Sequence, residues 1–183
     1  MTTLFKSAKQ KCIAVLAAIP LACSAGAISD AFDSSILSIP WGATVAQVLE
    51  KFPSAVYKEQ AGIRFASVVD GRQVLGMPRK PDGRIGFMFD ADGAFTELEF
   101  EFPLNDGAFE FNEKMSRLKT IFGEAIGPMD VPMGLSFTWP SEAGIKLTAR
   151  GQFGVFGIGS GFYVNVRKAL QKAPIDKSAL GLD

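Results

Sequence analysis

A chain of 183 residues carries 19 basic and 19 acidic side chains, 48% hydrophobic residues, two cysteines and no histidine. The missing imidazole excludes Ser-His-Asp and Cys-His catalysis, histidine general bases and the common zinc sites. The length suits one domain that can bury a sufficient core without a disulfide staple.

Residues 1–27 read as an export leader. Lys6, Lys9 and Lys11 form a positive n-region, Cys12 to Ala22 a nearly unbroken apolar run, and Ala25-Gly26-Ala27 a small-residue cleavage site. The run is about half the ~20 residues that a membrane-spanning helix needs. Leu21-Ala22-Cys23 resembles the end of a lipobox, although Pro20 stands where that pattern prefers an aliphatic residue. Membrane attachment therefore depends on lipidation of Cys23, and cleavage after Ala27 is the expectation. Cleavage removes both cysteines and three lysines, leaving 16 basic against 19 acidic residues. A mildly acidic domain offers no electrostatic footprint for nucleic acid. Without cysteine, soft-metal and thiol chemistry go too. The expected organisation is a leader over 1–27, a single α+β domain over 28–168 and a polar tail over 169–183, in the periplasm or secreted.

Ser35 to Ile39 reads as a short apolar strand, Pro40-Trp41-Gly42 as a tight turn, and Thr44 to Phe52 as a helix. Thr44 with Gln47 makes a capping box, each side chain satisfying a free amide of the first turn. Val45, Val48, Leu49 and Phe52 fall on one stripe, and Pro53 stops the helix. A helix this short needs a larger surface to dock on.

After Pro53 the hydrophobic period changes to two. Ile63 to Val68 reads as a strand, Asp70-Gly71 as a hairpin turn and Arg72 to Met77 as the returning strand. Met77 to Arg84 reads as an exposed basic loop, since Pro78 and Pro81 forbid sheet pairing. Arg79 and Lys80 in it are candidate binding residues. Ile85 to Phe89 then pairs with Phe95 to Phe102 across Asp90 to Gly93. In the second of these strands Thr96, Leu98, Phe100 and Phe102 point one way and Glu97, Glu99 and Glu101 the other, the mark of a sheet with one wet side. The glutamate row is the other candidate binding surface. Asp90, Asp92 and Glu101 have part of the spacing of a calcium loop, but Ala94 and Phe95 hold its fifth and sixth positions, so no metal is expected there.

A second helix follows, capped by Asn105 or Asp106, with Phe111, Met115, Leu118, Ile121 and Phe122 as its stripe and Gly123 as its C-terminal cap. Leu135, Phe137 and Trp139 alternate in a strand, Pro140 to Gly144 turns, and Ile145, Leu147 and Ala149 alternate back. Gly151 to Gly161 is glycine-rich and suits a bend or bulge better than a phosphate loop, because a strand, Phe162 to Val166, follows it rather than a helix. The fold expectation is α+β: one antiparallel sheet built from two helix-plus-strands units, with both helices packed on one face.

The stretch from Ile39 to Pro53, I-P-W-G-A-T-V-A-Q-V-L-E-K-F-P, resembles the start of small exported bacterial proteins in which a Trp-Gly turn precedes a helix. The helix-then-strands units resemble the β-lactamase-inhibitor-protein-like fold, which that inhibitor shares with small outer-membrane assembly lipoproteins. The resemblance implies a binding module without catalysis.

Trp41 and Trp139 are expected in the core rather than at an interface. Ser116 and Lys119 match S-x-x-K, the nucleophile pair of penicillin-binding enzymes, without the S-D-N and K-T-G partners that chemistry requires. The reading that results is a non-catalytic periplasmic or secreted binding or accessory module, without cofactor, whose partner is another protein of the cell envelope. The alternatives are an immunity or inhibitor protein that meets the basic cleft of an exported toxin or lytic enzyme with Glu97, Glu99 and Glu101, and a serine hydrolase using Ser116 and Lys119.

Overall fold

The computed structural model describes residues 26–79, 81–105, 107–154 and 160–170. Most of the leader, Lys80, Asp106, residues 155–159 of the glycine-rich segment and most of the tail lie outside the described residues.

The first element is a short helix, α1 (Ala27–Phe32), whose Ile28 and Phe32 are buried. A two-residue ladder follows, β1 (Ser35–Ile36) with β2 (Ile39–Pro40). Leu37 and Ser38 turn it with positive φ, where the apolar run predicts one continuous strand. Helix α2 (Val45–Lys51) has the expected capping box, Gln47 N–H donating to the Thr44 hydroxyl and Thr44 N–H to the Gln47 side chain. Val48 and Phe52 of its stripe are buried, and Val45 and Leu49 pack partly against the core.

The main sheet has eight antiparallel strands. In chain order they are β3 (Val56–Gln60), β4 (Ile63–Val69), β5 (Arg84–Phe89), β6 (Phe95–Pro103), β7 (Ile126–Val131), β8 (Gly134–Thr138), β9 (Ile145–Gln152) and β10 (Gly161–Lys168), with the 16-residue helix α3 (Gly107–Phe122) between β6 and β7. The spatial order is β3-β4-β5-β6-β10-β9-β8-β7. Each of α2 and α3 is thus followed by four strands, and the last strand of each set meets its counterpart at the centre of the sheet.

Side chains alternate across this sheet. Ala66, Phe87, Leu98, Val166 and Leu147 share one row of the register and are all buried. The next row, Phe65, Met88, Glu97, Arg167 and Lys146, is half-buried to exposed. One apolar cluster gathers the buried side chains of strands and helices. In it Phe52 meets Phe87 with ring centroids 5.2 Å apart, Phe111 meets Phe162 at 5.7 Å, and Phe32 meets Phe122 at 5.8 Å. Trp139 is 1% exposed and donates its indole N–H to the Gly123 carbonyl, so its only polar atom is satisfied inside the core. Trp41 is half-buried, stacks on Phe95 at 5.0 Å and donates to the Phe32 carbonyl.

Three expectations need correction. The hairpin partner of Ile63–Val69 is β3, reached through Ala61-Gly62, both at positive φ as a two-residue hairpin turn requires. Arg72–Met77 is not the returning strand. It is loop apart from a single Val74–Met77 bridge, and β5 takes its place in the ladder. In β6 a bulge beside Phe89 changes the alternation, so that Phe95 rather than Thr96 is buried with Leu98, Phe100 and Phe102.

Candidate functional site

The half-buried side of the central strands carries the densest set of polar groups. Its spine is the glutamate row of β6, and the opposing β10 places Asn165 across from Glu99 and Arg167 across from Glu97. The Asn165 side-chain amide donates to Glu97 Oε1 at 2.9 Å and to Glu99 Oε2 at 3.1 Å, bridging the two carboxylates. Arg167 lies 3.9 Å from Glu97, and Arg150 of β9 lies 4.0 Å from Glu99. Both arginines are partly exposed, so the ion pairs contribute little to stability. What they do is set the charge pattern: acids on β6 flanked by cations on β9 and β10.

Arg150 also stacks over the Tyr163 ring, 5.0 Å from its centroid. Burial, followed by the negative charge of Glu101 and Glu99, pushes the Tyr163 phenol above its ordinary range and keeps it neutral. A shallow hollow of about 330 Å³ opens beside this array, lined by Ser136, Lys146, Thr148, Arg150, Asn165 and Arg167 among others. A second of about 260 Å³ lies on the other flank of the row, against Phe65, Ser67, Arg84 and Met88. Short hydroxyl and amide side chains between long charged ones make a surface that can accept hydrogen bonds as well as donate them.

The other sequence candidates are placed differently. Arg79 is 8% exposed and does not belong to a solvated basic loop. Its guanidinium donates to the backbone carbonyls of Asp70, Arg84 and Glu101, and it lies 6.0 and 5.9 Å from the ring centroids of Phe100 and Phe102. Burial draws its pKa down, while the carboxylates of Asp70 and Glu101 oppose that shift. Arg79 is a clamp that ties the 70–84 connection to the sheet. Lys80 lies outside the described residues. Asp90 Oδ1 accepts from the backbone of Asp92 and Ala94, so its carboxylate shapes the β5–β6 turn. Ser116 is exposed on α3, and Lys119 on the same helix pairs with Glu124 at 2.6 Å.

The sequence reading did not single out Asn165, Arg150 and Arg167. They lie 51 to 70 positions from the glutamates they meet, and the only signal is their place between buried residues on β9 and β10.

Fold and site together define an α+β protein whose eight-stranded antiparallel sheet presents a polar, mixed-charge side. No protein-family model matches the chain, and no curated protein matches it. Among solved structures it is similar to YjgB of Bacillus subtilis, a DUF4309 family protein, at 13% identity and a TM-score of 0.46, over 79% of this chain and 94% of that one.

Proposed function

We propose that this chain is an exported, non-catalytic binding or accessory module, and that its contact surface is the polar side of the eight-stranded sheet. The observation that carries the reading is the Glu97–Asn165–Glu99 array with Arg150 and Arg167 beside it, a polar network assembled from three strands on a side that its neighbours leave open to solvent. The helices α1, α2 and α3 are read as covering the opposite side, because Phe52, Phe111 and their neighbours join the apolar cluster there. Such a division leaves a rigid platform with exposed hydrogen-bonding groups, which suits recognition of a protein surface of mixed charge. The paired glutamates favour this over an inhibitor that presents bare acidic groups, since Asn165 and the two arginines already answer much of their charge. Export rests on the leader pattern of residues 1–27.

A photo-reactive residue placed at Thr148, on the polar side, tests the surface in living cells, with Glu50, an exposed residue of α2, as the control position. A discrete envelope-protein adduct from position 148 and none from position 50 is the expected result. Adducts from position 50 alone, or from neither, overturn the reading.

A further inference from the structure

Between the 70–84 connection and helix α3 lies a hollow of about 790 Å³, a size in the range of ligand pockets. One wall is made by Met77, Pro78 and Pro81, with Pro103 at the end of β6 beside them. The other is one face of α3, on which Glu110, Lys114 and Arg117 stand four and three residues apart. The hollow shares no residue with the two that flank the glutamate row.

Two cations on that face lack a full counterpart. Lys114 is 9% exposed, and lysine is seldom buried so far unless it is paired. Among the described residues its partner is Glu110 at 3.6 Å, longer than a hydrogen bond. Glu110 Oε2 already accepts the Asn105 backbone N–H at 2.8 Å. An ammonium carries three donors, so this contact leaves most of its capacity unused. Arg117 is the neighbour of Lys114 on the helix surface, one turn further on. Its guanidinium reaches across to Gly76, where a Cβ would run into it. No carboxylate among the described residues pairs with Arg117, not even Glu113, which stands four residues before it at ion-pair spacing.

We propose that this hollow binds a small organic anion, its one carboxylate held between Lys114 and Arg117 and its apolar body laid along Met77, Pro78, Pro81 and Pro103. Arg117 offers the planar fork that takes a carboxylate through two hydrogen bonds, and Lys114 adds a point charge beside it. Glu110 and Glu113 also line the hollow and offset the two cations, which favours a singly charged head over a dianion. Proline has no N–H, so the facing wall presents rings rather than donors to the body of the ligand. The site is separate from the polar side of the sheet and gives the module a small-molecule ligand in addition to a protein contact.

The test uses phenylbutyrate and phenylbutyramide, which share one apolar body and differ only in the charge of the head. Each is titrated into isotope-labelled protein, recovered from cells that express the full chain, while NMR follows the backbone amides. The carboxylate should shift amides of 76–79 and 110–120 and bind about tenfold more tightly than the amide, a ratio that one charge-assisted contact supplies. Arg117→Gln should abolish that preference and leave the melting temperature unchanged, since Arg117 is exposed. Lys119→Gln removes the same charge from the same helix outside the hollow and should leave the preference intact. Lys114→Gln should also weaken the carboxylate, and where it fails to fold Arg117→Gln decides. An Arg117 that merely braces the Gly76 turn would move the melting temperature and not the preference. No binding at millimolar concentration, equal binding of the two probes, shifts confined to other parts of the protein, or a folded Lys114→Gln or Arg117→Gln that keeps the preference overturns the proposal. The sheet-side reading stands or falls separately, by its own adducts.

Discussion

Replacing Arg79 by alanine separates a clamp from a contact residue. The side chain is 8% exposed and serves three backbone carbonyls that come from the 70–84 connection and from β6. Alanine leaves those three acceptors without a donor. A buried polar group stripped of its partner costs roughly 1–3 kcal/mol. The acceptors are neighbours and relax together, so their costs do not add fully, and release of the buried guanidinium offsets part of them. The net expectation is a loss of about 3–4 kcal/mol, with the contact to the Phe100 and Phe102 rings included. In a domain of this size that lowers the melting temperature by roughly 6–16 °C. Arg79→Lys should recover less than half, because an ammonium cannot reproduce the planar fork that reaches three carbonyls. Thermal melting followed by far-ultraviolet circular dichroism, with urea titration at 25 °C, measures both variants. A loss below ~1 kcal/mol for Arg79→Ala would refute the clamp and return Arg79 to the surface.

Phe52→Ala should cost about 3–5 kcal/mol, the usual loss for a buried phenylalanine, whereas exposed Lys58→Ala should change urea stability by less than ~0.5 kcal/mol. Gly134→Ala should destabilise by at least ~1–3 kcal/mol, because its Cβ would run into the Gly151 carbonyl across the β8–β9 ladder; amide hydrogen exchange should then rise first in those strands. Hydrogen bonding to Arg72 holds the Asp70 carboxyl below its usual range. The stability this supplies is present above pH ~4 and is lost as the pH falls through the lowered folded value. Urea midpoints of wild type and Asp70→Asn should therefore converge on acidification, from a gap of less than about 1 kcal/mol at pH 7 given the exposure of Arg72.

Where burial imposes a period, the elements were legible in the residues alone. The Thr44–Gln47 capping box, the Phe111-Met115-Leu118-Phe122 stripe closed by Gly123, and the alternation of β5, of β9 and of β6 from Glu97 to Phe102 all stand as their spacing predicts. The strands that were missed are the two edges. In β3 four of five residues are exposed, and in β7 five of six are, so neither has a buried face to print an alternation on the chain. The bulge at Phe89 was also invisible, since a skipped residue is a property of the pair and not of either strand. Of the candidate site, only the glutamate row could be read, because β6 alternates on its own.

What the amino-acid sequence determined by itself is therefore local: caps, stripes, turn residues and the wet side of each central strand. Those follow from side-chain spacing and backbone geometry within a dozen residues. The tertiary structure decided everything that needs two distant segments to meet. It brought β10 against β6, which put Asn165 between Glu97 and Glu99; it drew Arg79 inward onto three carbonyls; and it set Glu142 under Ile28, 114 positions away. The cause is that a lone charged residue has the same local signature whether water or a buried carbonyl receives it. Only packing, which removes the water, makes the difference.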